Sequence, residues 1–178
     1  MKKIKISGID VKSTEDVNIS GSKSESNRIL ILKSIYKNIS IKNLSTSDDT
    51  KILQKVLDSQ NHNIDVGHAG TAMRFLTAYL AIQENKRFIL SGSERMHHRP
   101  IGTLVEALNH LGFNINYLEN TGFPPLEIFG MKNLKNKVKL KSDISSQYIS
   151  ALMLIAPILE EGLVIELDGE ITSRPYIE

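Results

Sequence analysis

The sequence predicts a mixed α/β fold in which short strands alternate with longer helices. Period-two and helical apolar patterns alternate along the 178 residues, 40% of the residues are hydrophobic, and no low-complexity linker interrupts the pattern. A chain of this size and apolar content can bury a core of its own. Charged residues make up 24%, close to the globular average, so we expect an ordered chain.

The first part of the chain is predicted to run strand, helix, strand, helix. Period-two alternation indicates strands at residues 16–20 and 39–44, and the spacing of apolar residues predicts a helix over 25–37. A second helix is predicted to begin at Asp48 and Asp49. We interpret these two carboxylates as helix-capping groups rather than as an acid–base pair, because acidic residues suit the start of a helix.

The rest of the chain repeats this alternation with longer apolar helices. Helices are predicted over 71–83, 100–111 and 146–159, and strands over 87–91, 113–118, 126–129, 137–141 and 163–167. Gly112 is the expected stop of the helix before it. Pro157 is expected to kink or end the last helix, because proline cannot donate the helical hydrogen bond.

Composition excludes several classes of protein. The absence of cysteine excludes disulfides, thiolate metal sites and cysteine nucleophiles. The net charge is only +2 and the lysines are spread along the chain, which argues against a nucleic-acid partner. No apolar run approaches the ~20 residues that span a bilayer, and the adjacent His97 and His98 make a poor metal pair. We expect a cytoplasmic protein with neither a membrane partner nor a metal.

Three polar turns open directly into apolar helices, at residues 21–28, 67–74 and 143–148. The start of a helix exposes unpaired N–H groups and a partial positive charge, so it attracts anions. Each turn taken alone is more often an ordinary cap. The three together predict an anion site, provided that the fold brings them together.

Basic side chains accompany these turns. They are Lys23, Arg28, Arg74, Arg95 and Arg99. Arginine binds phosphate or carboxylate through two parallel hydrogen bonds, whereas lysine supplies a movable point charge. Positive charge near a helix start costs up to about 1 kcal/mol unless an anion offsets it. Solvated surface charges are the alternative interpretation; the cluster favours a site for small, multiply charged anions.

Five segments resemble, in order, the signature motifs of the EPSP synthase family. They read GSKSESNR at 21–28, AGTAMR at 69–74, RMHHRPIG at 95–102, SSQY at 145–148 and SRPYI at 173–177. The corresponding motifs of that family read GSKSxSNR, AGTAMR, RMxxRPIG, SSQ(F/Y) and S(K/R)PYI. Any one motif would be weak evidence, but the ordered set spans nearly the whole chain.

The resemblance implies a fold of repeated βαβαββ units, with two lobes that close over the substrates. It assigns residues 1–14 to a strand of the other lobe and residues 15–178 to a substrate-binding lobe. Arg174 and Pro175 resemble the opening of a further helix. We therefore expect the sequence to be the amino-terminal part of a longer enzyme, with a complementary carboxy-terminal half as its partner.

The activity implied by the resemblance is transfer of the enolpyruvyl group of phosphoenolpyruvate to shikimate 3-phosphate, with release of phosphate, in the shikimate pathway of aromatic amino-acid biosynthesis. No cofactor is implied. The resemblance assigns shikimate 3-phosphate contacts to Lys23, Ser24, Arg28, Ser145, Ser146, Gln147 and Ser173. It assigns phosphoenolpyruvate contacts to Lys23, Gly70, Arg95 and Gln147. Thr71 and Tyr176 are weaker matches to site positions of the family, with no substrate assigned to them. We expect no turnover by this chain alone.

His68 stands where the family usually has asparagine, which puts any side-chain contact from that position in doubt. The related transferase that acts on UDP-N-acetylglucosamine is one alternative, but its opening motif reads closer to GAKN and it commonly uses a cysteine; here the position is Ser24 and there is no cysteine. A non-catalytic anion-binding lobe, or a remnant of a split gene, is the other alternative.

Overall fold

The computed structural model describes residues 4, 5, 8, 16–141, 145–169 and 177. Its helices are α1 (Lys23–Ile35), α2 (Asp48–Leu57), α3 (Gly70–Ala81), α4 (Glu94–His97), α5 (Gly102–His110) and α6 (Ser146–Ile155), followed by a 3₁₀ turn over Ala156–Ile158. Its strands are β1 (Asn63–Asp65), β2 (Arg87–Ser91), β3 (Asn114–Tyr117), β4 (Leu126–Phe129), β5 (Lys137–Lys141) and β6 (Val164–Asp168).

The larger sheet has four strands in the order β1-β2-β4-β3. β1 pairs with β2 in parallel, and β4 pairs antiparallel with both β2 and β3. Parallel neighbours need a crossover connection, which α3 provides. Apart from the short α4, the chain order β1-α3-β2-α5-β3-β4 is one complete βαβαββ unit. The predicted mixed α/β fold with this repeat is therefore confirmed.

A smaller sheet consists of β5 and β6, paired in parallel and connected through α6. Along β5 the side chains alternate between exposed and buried, so that Val138 and Leu140 face the core. This is the alternation expected of a strand with one buried face. The β-α-β order repeats the start of the larger unit.

Helix α3 is the centre of the core. Eleven of its twelve residues are buried, among them Phe75 and Leu76. It packs most extensively against α6, and also against α1, α2 and α5. A helix that is apolar nearly all round must be covered on all sides, and burial of its apolar surface is the main stabilising contribution of the core.

Most predicted elements are confirmed. β2 and β5 occupy the predicted residues, and the observed helices α1, α2, α3, α5 and α6 overlap the predicted ranges. Helix α6 ends at Ile155, and Pro157 lies in the following 3₁₀ turn, as expected of a residue that cannot continue the helix. The strand predicted for residues 1–14 and the motif that begins at Ser173 lie outside the described residues, apart from positions 4, 5, 8 and 177.

The strands predicted at residues 16–20 and 39–44 were wrong. Neither segment pairs with another strand among the described residues, and a strand without a ladder partner leaves its backbone groups unpaired. Asn43 also has a φ of 53°, which interrupts extended backbone. A Cβ on Gly21 would lie 1.8 Å from the carbonyl oxygen of Asn43, so the two loops pass too closely for any other residue.

None of the helices in the described ranges is both long and apolar enough to cross a membrane.

Gly112 and Gly122 allow the effect of crowding to be separated from that of backbone conformation. Both have positive φ, 102° and 91°. A Cβ on Gly112 would lie 2.8 Å from the backbone nitrogen of Leu134, whereas one on Gly122 would meet no described atom within 4 Å. We predict that Gly122→Ala lowers the free energy of unfolding by about 1–2 kcal/mol, and that Gly112→Ala lowers it by a further ~1–3 kcal/mol.

Urea unfolding of the two variants and the parent chain measures both effects. Equal destabilisation by the two variants would show that the contact with Leu134 is not tight.

Candidate functional site

The amino-terminal end of α3 is where the candidate site is built. Its N-cap residue, Ala69, has no side chain that could cap the helix. Instead, Asp49 on α2 accepts a hydrogen bond from the backbone N–H of Thr71 at 3.2 Å. Asp49 therefore caps a neighbouring helix rather than its own, whose N-cap is Ser47. The interpretation of Asp49 as a cap of α2 is corrected accordingly.

The start of α6 joins the start of α3. Gln147 donates from Nε2 to Oγ1 of Thr71 at 3.4 Å, and Ser145 caps α6 by accepting from the backbone N–H of Gln147. Tyr148 donates its hydroxyl to the carbonyl oxygen of Pro100 at 2.6 Å. The fold thus brings together two of the three predicted helix starts and the loop that precedes α5.

Arg74 lies beneath this junction and is only 8% exposed. Its Nη1 donates to the carbonyl oxygen of Gly70 at 2.9 Å, and its guanidinium carbon lies 5.4 Å from the centre of the Tyr148 ring. Its Nε has no hydrogen-bond partner among the described residues. A buried guanidinium held by a carbonyl and a ring face adds positive potential to the surface above it.

Arg99 places a second guanidinium directly against Gly70. A Cβ on Gly70 would lie 2.2 Å from Nη1 of Arg99, so the absence of a side chain makes room for the charge. Burial lowers the pKa of Arg99, the charge of Arg74 lowers it further, and the carboxylate of Asp49 partly offsets both. Positive charge therefore exceeds negative charge at this end of α3.

His68, Arg95, Met96 and Arg99 line a cavity of about 340 Å³ beside the start of α3. Met96 is buried and anchors α4, whereas Arg95 is exposed. No carboxylate is among the described residues that line the cavity. A larger cavity of about 560 Å³ between α5 and β5 carries mixed charge, with Glu106 and Lys139 both in its lining. The smaller cavity is therefore the better match for an anion.

The motif at residues 21–28 joins the site through Arg28. Its Nη1 donates to the carbonyl oxygen of Ser24 at 2.9 Å, and its Nη2 donates to Oγ of Ser150 at 2.8 Å. The guanidinium also lies 5.3 Å from the centre of the Phe75 ring. Lys23 is exposed at the first position of α1. Arg28 therefore connects α1 to α3 through Phe75 and to α6 through Ser150, which lies one helical turn after Ser146.

Two residues of this motif serve the fold. Ser26 accepts a hydrogen bond from the backbone N–H of Ser45 at 2.9 Å, and Asn27, which is fully buried, accepts one from the hydroxyl of Thr50 at 2.8 Å. The spacing of these two residues along the helix indicates this role, because it places them on the buried face of α1 with Leu30 and Ile31. Our prediction for this segment, a helix cap or an anion-binding turn, assigned these two residues no part in the fold.

A family model for EPSP synthase (3-phosphoshikimate 1-carboxyvinyltransferase) matches residues 53–178. The chain belongs to the EPSP synthase family. A 3-phosphoshikimate 1-carboxyvinyltransferase of Bacteroides fragilis is 49% identical over 168 residues, which cover 94% of this chain and 40% of that protein. One from Colwellia psychrerythraea is 38% identical over 194 residues, which cover 94% of this chain and 45% of that protein.

The fold agrees with this family. The EPSP synthase from Acinetobacter baumannii superposes with a TM-score of 0.70 at 17% sequence identity, over 90% of this chain and 42% of that chain. The chain spans less than half the length of these curated relatives and of this solved structure. The substrate contacts expected from the EPSP synthase motifs remain predictions, and Ser173 lies outside the described residues.

The capping role of Asp49 is testable by substitution. Asp49→Ala leaves the Thr71 N–H without its acceptor, so we predict a loss of about 1 kcal/mol in the free energy of unfolding. Asp48→Ala removes an exposed carboxylate from the same turn of α2 and is the matched control, with an expected loss below about 0.5 kcal/mol. Thermal and urea unfolding measure both; equal losses would contradict the capping role.

Proposed function

We propose that this chain is the substrate-binding amino-terminal part of an enzyme that transfers the enolpyruvyl group of phosphoenolpyruvate to shikimate 3-phosphate. The observation that carries the proposal is the excess of positive charge at the joined starts of α3 and α6. Three guanidinium groups lie there, those of Arg74, Arg95 and Arg99. Arg74 and Arg95 lower the pKa of Arg99, and the carboxylate of Asp49 partly offsets their effect. Both substrates are multiply charged anions, which such a surface attracts.

Phosphoenolpyruvate carries a phosphate and a carboxylate on a three-carbon frame. Arg95 and Arg99 each present a planar fork that matches either group through two hydrogen bonds. We assign phosphoenolpyruvate to the cavity beside Gly70, with Arg95 as its principal contact and with Gln147 and Lys23 completing the site. Membership in the EPSP synthase family and the cavity lining support this assignment.

Shikimate 3-phosphate carries a phosphate and ring hydroxyls, which require a mixture of cations, hydroxyls and amides. The residues proposed to bind it are Lys23, Ser24, Arg28, Ser145, Ser146, Gln147 and Ser173. The start of α6 offers such groups, because Ser145, Ser146 and Gln147 lie at its exposed end. Arg28 reaches α6 through Ser150, which places its charge close to that end.

The proposed reaction is an addition followed by an elimination. The shikimate hydroxyl gives up its proton to a base and its oxygen bonds to the enol carbon of phosphoenolpyruvate, while an acid adds a proton to the methylene carbon. Phosphate then leaves, and loss of a proton from the new methyl group re-forms the double bond. Proton transfer needs positioned acid–base groups. We propose Lys23 as one of them and assign the others to a complementary carboxy-terminal half, so that this chain alone binds without turnover.

Calorimetric titration tests the proposed substrates. We expect the chain to bind shikimate 3-phosphate, to bind shikimate more weakly because it lacks the phosphate, and not to bind UDP-N-acetylglucosamine. Binding of the nucleotide sugar alone would overturn the assignment in favour of the related transferase. Phosphate release on addition of a complementary carboxy-terminal half is the expected sign of catalysis; ligand binding without turnover in that mixture would favour a non-catalytic lobe.

The role of Gly70 gives a second test. In Gly70→Ala the new Cβ displaces the guanidinium of Arg99, which is the flexible end of a side chain, so the thermal midpoint should change little. We predict about a tenfold loss of affinity for phosphoenolpyruvate, equivalent to about 1.4 kcal/mol.

Gly102→Ala is the matched control for this variant. Gly102 also begins a helix, and an added Cβ there comes no closer than 3.3 Å to its nearest neighbour, the Cα of Gly122. Its affinity for phosphoenolpyruvate should stay within about twofold of the parent. Calorimetry on both variants checks the pair, and equal losses would contradict the displacement of Arg99.

A further inference from the structure

We propose that His68 is a third donor to the phosphate group of the ligand held by Arg95 and Arg99, oriented for this by Ser93. This inference rests on the proposed function, because it assigns one more residue to the same cavity. His68 lines the cavity together with Arg95, Met96 and Arg99. Among the described lining residues, it is the one that offers an imidazole nitrogen rather than a guanidinium or a thioether.

The loop that carries His68 is fixed to the loop that follows β2. The backbone N–H of Val66 donates to the carbonyl of Ser91 at 3.0 Å, and the N–H of Ser93 donates to the carbonyl of Gly67 at 3.0 Å. A Cβ on Gly92 would lie 2.7 Å from the carbonyl oxygen of Gly67, so the two loops are in close contact. The position of His68 relative to α4 is therefore set by the backbone.

The orientation of the imidazole ring is set by Ser93. The hydroxyl oxygen of Ser93 lies 2.7 Å from Nδ1 of His68. When the hydroxyl donates to Nδ1, the ring proton resides on Nε2, which then becomes a hydrogen-bond donor. Fixing one ring nitrogen so that the other faces a ligand is the usual way in which a histidine is oriented.

The two histidines of the neighbouring segment, His97 and His98, make contacts outside the cavity. His97 contacts Oγ of Ser91 through Nε2 at 2.9 Å and lies 3.7 Å from the carboxylate of Glu119 through Nδ1. Nδ1 of His98 contacts the carbonyl of Glu94 at 2.9 Å. Neither lines the cavity. Among these three histidines, His68 is the one placed to meet a ligand there.

The chemistry of the cavity favours a donor that adds no charge. Arg74 and Arg95 already repel the charge of Arg99, and the lowered pKa of Arg99 reflects burial first and the repulsion by Arg74 second. A phosphate has three terminal oxygens, and two guanidinium forks leave acceptor capacity unused. In its neutral form, an imidazole N–H supplies the additional hydrogen bond without further repulsion.

Imidazole ¹H–¹⁵N spectra of the 178-residue chain test the proposal directly. We expect His68 to show the Nε2–H tautomer, and its Nε2 signal to shift with the Arg95 Nε signal as inorganic phosphate or phosphoenolpyruvate is added. If Arg95 responds and His68 does not, the inference fails while the proposed function stands. If neither responds to phosphoenolpyruvate, the proposed site fails and the inference with it.

Variants provide an independent measurement. We predict that His68→Ala weakens phosphoenolpyruvate binding about fivefold and leaves shikimate 3-phosphate binding unchanged. His68→Gln should retain most of the affinity, because the glutamine amide nitrogen reaches the position of Nε2. Ser93→Ala should weaken binding about twofold to threefold and change the tautomer of His68.

His110→Ala, at the far end of α5, is the control and should bind as the parent chain does. Unfolding midpoints establish that each variant is folded. Parent-like affinity of a folded His68→Ala chain for phosphoenolpyruvate would overturn the role of His68.

Discussion

The structure depends on how the positive end of a fully buried helix is satisfied. Helix α3 can be surrounded by α1, α2, α5 and α6 only because its first turn finds partners from outside itself. Asp49 takes one backbone N–H, and Arg99 occupies the space that Gly70 leaves open. The cap of the helix and the positive charges therefore lie at the same end of α3, where Asp49 offsets part of the effect of Arg74 on Arg99. The surface proposed to bind substrate thus adjoins contacts that stabilise the fold.

The signature motifs contain residues of two kinds, those that stabilise the fold and those that are proposed to bind ligand. In the first motif, Ser26 and Asn27 fasten α1 to the loop at Ser45 and to α2, while Lys23 stays exposed at the start of the helix. Arg28, which is proposed to bind ligand, also connects α1 to α6 through its bond to Ser150. Part of this motif therefore stabilises the fold, and the residues proposed to bind ligand lie on the same helix.

Much of the fold could be predicted from the sequence. The apolar runs of α3 and α6 and the alternation of β2 and β5 are local signals, and Gly112 and Pro157 mark helix ends for local steric reasons. The strands expected at 16–20 and 39–44 were wrong, because the alternation of apolar and polar residues does not show whether a neighbouring strand exists to pair with them. The hydrogen bond from the backbone N–H of Thr71 to Asp49 also could not be predicted from the sequence, since it depends on how two helices pack.

We propose that the joined starts of α3 and α6 bind a small phosphorylated anion. The most direct measurement is a crystal structure of the 178-residue chain grown with phosphoenolpyruvate. We predict that the anion lies in the cavity beside Gly70, within hydrogen-bond distance of Arg95 and Arg99. An anion bound instead between α5 and β5, with the cavity beside Gly70 empty at saturating ligand, would contradict it.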